Sequence, residues 1–133
     1  MKLEVGMYVR NKDGTIGKII AIDLAKPRQE KYPNHPSKRW WRDKILISCY
    51  KGWITTQNII KASYDIINIL EEGDILVDDT NRKLEVLLID NELMVRNAGL
   101  IYDNNYYLPI KSIAIKSVIT HEQMEQMAYK VGE

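Results

Sequence analysis

The chain has 133 residues, with 19 Lys and Arg against 18 Asp and Glu, and it contains one cysteine and two histidines. One cysteine excludes an intrachain disulfide, and with two histidines it cannot complete the usual four-ligand zinc site, so we expect no metal and no cofactor. Because no apolar run approaches the ~20 residues of a membrane-spanning helix and the first residues lack an apolar signal core, we expect a soluble, cytoplasmic protein with no membrane partner.

The first elements along the chain form a predicted β-hairpin. Strands at residues 8–10 and 16–23 flank a turn at 11–14, whose Asp-Gly pair supplies the positive φ angles of a tight hairpin turn. Gly17 lies inside the second strand, which indicates a bulge or a close backbone approach. Such features are needed in small, strongly bent sheets.

Residues 24–42 break this pattern and are predicted to form a long loop. Pro27, Pro33 and Pro36 interrupt strands and helices alike, and the Asn-His-Pro-Ser stretch at 34–37 is typical of turns. Long loops on small domains are usually functional or disordered. The end of this loop and the start of the next strand carry the candidate binding residues, which are Lys38, Arg39, Trp40, Trp41, Arg42 and Lys44.

The first half is completed by short elements. Strands are predicted at residues 44–48 and 53–55, a single helical turn at 57–59 and a last strand at 60–62, which together with the hairpin make a five-stranded barrel. Ser63 is expected to cap a short connecting helix over residues 64–70. The apolar face of that helix consists of Ile66, Ile67, Ile69 and Leu70.

The rest of the chain repeats this scheme and adds a helix. Strands are predicted at residues 74–77, 83–89, 93–96, 106–108 and 114–118. Thr120 and Gln123 have the spacing of a capping box, which predicts a terminal helix over residues 120–129. We expect Met124, Met127 and Ala128 to pack that helix against the second barrel.

The two copies open and close alike. An acidic residue and a glycine lead into an apolar strand at Gly6 and again at Gly73, 67 residues later, while residues 53–63 are echoed by 107–117, 54 residues later. The junction of the copies is residues 60–77, and the first copy carries about 13 extra residues, in its 24–42 loop. We predict a mainly all-β protein, in which residues 1–63 and 64–133 form tandem small five-stranded Src-homology-3-like barrels with a short connecting helix and a C-terminal helix.

The junction and the tail also carry a resemblance. The junction reads Ile-Lys-x-Ser followed by Ile-Ile-Asn-Ile-Leu-Glu-Glu-Gly-Asp at 66–74, and the tail is residues 115–125. Together with most of the second copy and, more loosely, residues 5–9, they resemble small uncharacterised proteins encoded by phages and prophages of Gram-positive (Firmicute) bacteria. The resemblance implies that source, a bacterial host cytoplasm and this architecture, and it implies no activity. The loop with Trp40 and Trp41 departs from the shorter connections expected there.

The motifs of common enzyme classes are missing from the sequence. It contains no phosphate-cradling Gly-rich motif, no Gly-x-Ser-x-Gly and no His-Glu-x-x-His. We expect His35 to be a turn residue, His121 to be solvated in the terminal helix, and Cys49 to be a buried strand-end thiol. Acidic side chains in two turns could bind a cation in principle, and we expect them to be solvated instead: Glu71, Glu72, Asp74, Asp78 and Asp79. We therefore expect no enzymatic activity and no small-molecule substrate.

Charge is distributed unevenly along the chain. Residues 1–63 hold 13 Lys and Arg against 5 Asp and Glu, whereas residues 64–133 hold 6 against 13. Such an asymmetry indicates either charged partners or mutual attraction of the two halves, and both interpretations stay open.

The basic aromatic residues at 38–44 allow two functional interpretations. Cationic side chains neutralise phosphates and exposed indoles stack on unpaired bases, which would suit single-stranded nucleic acid. Alternatively, the two tryptophans cover apolar surface at the start of a strand. Because small barrels often bind peptides, which is an analogy between folds only, a protein partner is favoured over nucleic acid. The expected function is a phage-derived, non-enzymatic protein-binding adaptor, and the alternative is a nucleic-acid-binding accessory protein.

Overall fold

A computed structural model describes residues 2–36, 42–97 and 107–127. Residue contacts divide the chain into two compact units, Met1–Lys12 with Ile16–Ile69 and Asp13–Thr15 with Leu70–Glu133. The main division lies at Ile69 and Leu70, six residues later than the boundary expected from the sequence, so the connector groups with the first unit. No helix in the described part of the chain is long and apolar enough to cross a membrane.

The first unit contains a five-stranded antiparallel sheet. Its strands are β1 (Tyr8–Asn11), β2 (Ile16–Asp23), β3 (Lys44–Ile47), β4 (Ile54–Thr55) and β5 (Ile59–Ser63), with a 3-10 turn at Thr56–Asn58 before the last. They lie in the order β4-β3-β2-β1-β5. A Cβ added to Gly17 would lie 2.9 Å from Cδ1 of Ile47 on the neighbouring strand. The close approach inferred from this glycine is therefore confirmed.

The second unit contains a sheet with the same succession of strands. These are β6 (Ile75–Asp78), β7 (Lys83–Ile89), β8 (Glu92–Asn97), β9 (Leu108–Pro109) and β10 (Ile115–Ile119), with a 3-10 turn at Ile110–Ser112. Their order is β10-β6-β7-β8-β9, so the fifth strand again pairs with the first. Asp90 and Asn91 both have positive φ, 50° and 64°, as a type I′ hairpin turn requires. The turn predicted at residues 90–92 is confirmed.

The predicted equivalence of Gly6 and Gly73 is visible in the backbone. The N–H of Gly6 donates to the carbonyl of Ile19 at 2.9 Å, and the N–H of Gly73 donates to the carbonyl of Val86 at 2.9 Å. Both glycines have positive φ, 96° and 93°, which a glycine adopts without the steric cost of a side chain. Donor and acceptor are thus both displaced by 67 residues, so the two copies open identically.

The closing strands match with a different offset from the one expected. Val9 of β1 lies opposite Ala62 of β5, and Leu76 of β6 lies opposite Val118 of β10. The fifth strands are therefore 56 residues apart rather than 54, and residues 61–63 correspond to 117–119 rather than to 115–117. The two additional residues lie between the 3-10 turn at Ile110–Ser112 and β10.

The predicted barrels are not confirmed. The described strands make two five-stranded antiparallel sheets, and neither sheet closes on itself. β4 and β9, the strands at one edge of each sheet, have only two residues each. Strands this short cannot form a hydrogen-bonded ladder with the opposite edge strand. The mainly β class and the five strands of each copy are as predicted.

The predicted loop at residues 24–42 contains a helix, which is a correction. Helix α1 spans Ala25–Lys31, and Pro27 is its third residue. The first N–H groups of a helix have no intrahelical partner, so a proline in the first turn removes no helical hydrogen bond. The proline taken as an interruption is thus compatible with this short helix.

The core of each unit follows from the alternation of side chains along its strands. In β3 the burial alternates, with Ile45 and Ile47 inside, because successive residues of a strand face opposite sides. The buried cluster of the first unit consists of Val9, Ile19, Ile45, Ile47, Ile54 and Ile59. Buried apolar residues of the second unit's strands and 3-10 turn are Leu76, Leu84, Val86, Val95 and Ile110.

The connector is shorter than predicted. It is a single 3-10 turn at Ile66–Ile69 rather than a helix over residues 64–70. The Ser63 hydroxyl accepts a hydrogen bond from the N–H of Asp65, and the Asp65 carboxylate accepts one from the N–H of Ile67. These side-chain bonds compete with longer helical bonding of the same backbone groups. Ile69 is fully buried, as its place on the apolar face predicted.

Candidate functional site

The basic aromatic residues fall only partly within the described structure. Lys38, Arg39, Trp40 and Trp41 lie outside the described residues. Arg42 is exposed just before β3, and Lys44 is the half-buried first residue of that strand, opposite Asp23 of β2. The structure therefore fixes one end of the predicted site.

Helix α1 is tied to that same end. The N–H of Ala25 donates to Oδ1 of Asp43 at 2.7 Å. The Arg28 guanidinium donates to the carbonyl of Arg42 and forms an ion pair with Asp23 at 3.4 Å. Because one side chain bonds both flanking segments, α1 is held beside the start of β3. This contact was not foreseen, since the sequence indicated no helix here.

Further cationic and aromatic groups of α1 reach solvent. Lys26 and Lys31 are exposed, and Tyr32 is 45% exposed. The Lys31 ammonium lies 5.3 Å from the centre of the Tyr32 ring, within the range of a cation–π contact. The basic segment therefore begins at α1, earlier than the sequence indicated.

A groove lies between the terminal helix and the sheet of the second unit. Helix α2 spans His121–Met127, and the groove has a volume of about 690 Å³. Met127 is 81% exposed, so the expectation that it packs against the sheet is wrong, whereas Met124 is half-buried. Its lining consists of Ile75, Lys83, Ile119, Gln123, Met124, Gln126 and Met127.

The start of α2 is fixed by the predicted capping box. The N–H of Thr120 donates to Oε1 of Gln123 at 3.0 Å, and the N–H of Gln123 donates to the Thr120 hydroxyl at 3.3 Å. Two backbone donors at the helix start are thereby satisfied reciprocally. The capping box and the helix it begins are confirmed, and the predicted residues 128 and 129 lie outside the described residues.

His121 is part of a cluster rather than solvated, which corrects the sequence-based expectation. Its Nε2 lies 2.8 Å from Oε1 of Glu71 and 2.7 Å from Oε1 of Glu122. The three side chains are each between 17% and 32% exposed. One ligand atom from each residue lies within 4.8 Å of the others. The sequence did not indicate this site.

Asp74 is also not a solvated turn residue. It is fully buried, and its carboxylate accepts hydrogen bonds from the N–H of Glu71 at 2.8 Å and from the N–H of His121 at 3.0 Å. One side chain therefore positions the backbone of two segments that are 50 residues apart. Buried carboxylates of this kind hold backbone donors that have no other partner.

The second acidic turn is built in a similar way around Asp78, which is 2% exposed. Its carboxylate accepts hydrogen bonds from the N–H groups of Thr80 and Arg82, from the Thr80 hydroxyl and from Nε of Arg82. Burial raises the pKa of Asp78, but these hydrogen bonds and the charge of Arg82 outweigh it, so the pKa lies below its ordinary value. The expectation of a solvated turn is wrong here as well.

The lowered pKa of Asp78 predicts a specific acid sensitivity. A carboxyl whose pKa is lower in the folded state contributes stability at neutral pH that is lost as the pH falls through that pKa, from about pH 5 to about pH 2. We expect the urea midpoint of Asp78→Asn to fall less over this range than that of the wild type. The exposed neighbour Asp79 provides the control, since Asp79→Asn should retain the wild-type dependence. An unchanged acid dependence in Asp78→Asn would contradict this assignment.

The remaining candidates have structural roles in the described residues. Cys49 is exposed rather than buried, and its thiol donates to the carbonyl of Ile16 at 2.8 Å. It lies in the turn after β3, beyond the last buried strand residue, which is why the prediction failed. The N–H of His35 donates to the carbonyl of Tyr32 at 3.2 Å, consistent with the predicted turn.

A scan against models of protein families, a search of curated proteins and a search of solved structures found no match to this chain.

Proposed function

We propose that this protein is a non-enzymatic binding protein that holds a segment of another protein in the groove between α2 and the sheet of the second unit. The observation that carries the proposal is the groove itself, which combines an apolar floor with the exposed side chain of Met127. Its volume of about 690 Å³ lies within the range of about 300 to 1,000 Å³ that ligand sites occupy.

The chemistry of the lining defines the occupant. Ile75 and Ile119 supply branched apolar surface, and Met124 and Met127 supply flexible thioether side chains, which adapt to different apolar partners. Lys83 is exposed and is the one cation among the described lining residues. An amphipathic segment with apolar side chains and an acidic side chain at its edge fits this arrangement best.

The finer architecture and the source belong to the same proposal. In each unit four strands follow one another and the fifth returns to the first, and the ladder between the first and fifth strands has a register shift. This succession supports two small, bent sheets of the Src-homology-3 type, and peptide binding by such sheets is an analogy between folds. On the resemblance quoted above, we also propose a phage or prophage protein that acts in the bacterial cytoplasm.

The groove is tested with peptides selected from a random display library on the full chain. We expect amphipathic peptides with an acidic residue, whose binding is measured by fluorescence anisotropy. Met127→Glu is expected to weaken binding at least about tenfold, because a buried charge without a partner costs more than the 1.4 kcal/mol that corresponds to tenfold. Lys83→Glu is expected to weaken it about fivefold and to reduce its salt dependence.

The matched control is Leu88→Glu, which introduces the same charge at an apolar side chain that is 50% exposed on β7 but does not line the groove. It should leave peptide affinity unchanged. Equal binding by wild type and Met127→Glu, or loss of binding in Leu88→Glu alone, would refute the groove as the binding surface.

Nucleic-acid binding through the first unit is the second candidate, and a specific observation favours it. Helix α1 adds the exposed Lys26 and Lys31 and the exposed Tyr32 ring to the basic residues that follow it in sequence. Cations with an aromatic platform suit single strands. The net charge of the second half of the chain opposes such binding, because residues 64–133 hold 13 acidic against 6 basic residues. We therefore rank it below the groove.

A further inference from the structure

The cluster of Glu71, His121 and Glu122 has an arrangement of donor atoms that a hydrogen-bonded ion pair does not explain fully. Nε2 of His121 lies within 2.8 Å of two different carboxylate oxygens. A ring nitrogen carries at most one proton, and one N–H cannot point straight at two acceptors. Three atoms with lone pairs therefore converge on one point. We propose that these three residues bind one divalent transition-metal ion.

The distances suit such an ion after a small adjustment. The three donor atoms lie within 4.8 Å of one another. Zinc bonds to imidazole nitrogen and carboxylate oxygen are about 2.0 to 2.2 Å long, which places donor atoms around one ion roughly 3 to 3.5 Å apart. The observed separations of 2.7 and 2.8 Å from Nε2 need to widen by less than 1 Å. Rotation of two glutamate side chains supplies that movement.

The fold positions the ligands before any ion arrives. Asp74 accepts hydrogen bonds from the backbone of both Glu71 and His121, and the capping box between Thr120 and Gln123 fixes the start of α2. Because the partners that support metal ligands strongly affect metal affinity, this buried carboxylate is the expected supporting residue. The ligands remain partly exposed, so an ion can reach them from solvent.

The mixture of ligands selects the class of ion. Imidazole suits Zn²⁺ and its first-row neighbours, whereas Mg²⁺ and Ca²⁺ prefer oxygen ligands alone. Three protein ligands leave at least one position on a tetrahedral ion for water or for a group from a partner. The cysteine arithmetic of the sequence did not bear on this site, because the site uses carboxylates in place of thiolates.

The test is calorimetric titration of the metal-free full chain with Zn²⁺ and, separately, with Mg²⁺. We expect one Zn²⁺ per chain, no detectable Mg²⁺ binding, and a higher melting temperature with Zn²⁺. His121→Gln and Glu122→Gln are each expected to weaken Zn²⁺ binding on the order of 100-fold, the upper end of what loss of a supporting residue costs. Because ligation requires the deprotonated imidazole, binding should weaken as the pH falls below about 6.5.

The chain offers matched controls. His35→Gln removes the other histidine, and Cys49→Ser removes the exposed thiol. Both variants should bind Zn²⁺ as the wild type does. Should His121→Gln unfold, judged by circular dichroism, Glu122→Gln carries the test, because the amide keeps the shape of the side chain. Absence of Zn²⁺ binding, binding unchanged in a folded variant of the cluster, or loss of binding in either control would overturn the proposal and leave an ion pair only.

Discussion

Replacing Asp74 with alanine is expected to destabilise the protein by about 3 kcal/mol. The fully buried carboxylate accepts two hydrogen bonds, from the N–H groups of Glu71 and His121. Hydrogen bonds to a charged group contribute about 1.5 to 3 kcal/mol each, and their loss leaves two backbone donors without this acceptor. The free energy of unfolding is measured by urea denaturation followed by circular dichroism.

Two further variants make this prediction specific. Asp74→Asn retains one acceptor oxygen, so we expect about half of the loss seen with alanine. Asp79→Ala removes an exposed carboxylate from the same unit and should change stability by no more than about 0.5 kcal/mol. Asp74 would have no organising role if Asp74→Ala and Asp79→Ala were equally stable.

Replacing Arg10 with alanine is expected to cost about 4 kcal/mol. Arg10 is fully buried in β1, and its Nη1 donates to the carbonyl of Ile69 at 3.1 Å. Truncating a large buried side chain costs about 2 to 5 kcal/mol through the cavity it leaves. A buried carbonyl that loses its donor adds about 1 to 3 kcal/mol. We place the sum toward the lower end because the surrounding side chains relax.

Arg10→Met separates the two contributions. It keeps most of the buried volume and removes only the donor, so we expect a cost of about 2 kcal/mol. Lys12→Ala is the control, because Lys12 is exposed directly after β1. Equal stability of Arg10→Ala and Lys12→Ala would show that the buried guanidinium does not hold the connector to the first unit.

Local patterns predicted the elements that are formed by neighbouring residues. The Asp-Gly pair at residues 13 and 14 predicted the first hairpin, and the spacing of Thr120 and Gln123 predicted the capping box. The displaced glycines, Gly6 and Gly73, predicted that the chain repeats its opening. In each of these cases the decisive hydrogen bonds join residues that are close in sequence or that follow from the repeat.

The helix within residues 24–42 was missed for a local reason. Pro27 was taken to exclude a helix, although a proline in the first turn is compatible with one. The contact that holds this helix, from the N–H of Ala25 to Asp43, joins residues 18 apart. No pattern within a short window contains both of its partners.

The cluster of Glu71, His121 and Glu122 depends on strand pairing. Ile119 of β10 lies opposite Ile75 of β6, which brings the residues after β10 beside those before β6. The predicted repeat contained this signal, because the closing strand of each copy was expected to belong to the same barrel as its opening strand. Combining that pairing with the positions of the titratable residues would have indicated the site.

Hydrogen exchange of the full chain, with and without a selected peptide, tests the binding groove most directly. Backbone amides buried by a partner exchange more slowly. We predict added protection in α2, in β6 and at the start of β7 near Lys83, where the lining residues lie. Protection confined to α1 and the start of β3 would instead place binding on the basic segment of the first unit and contradict the proposed function.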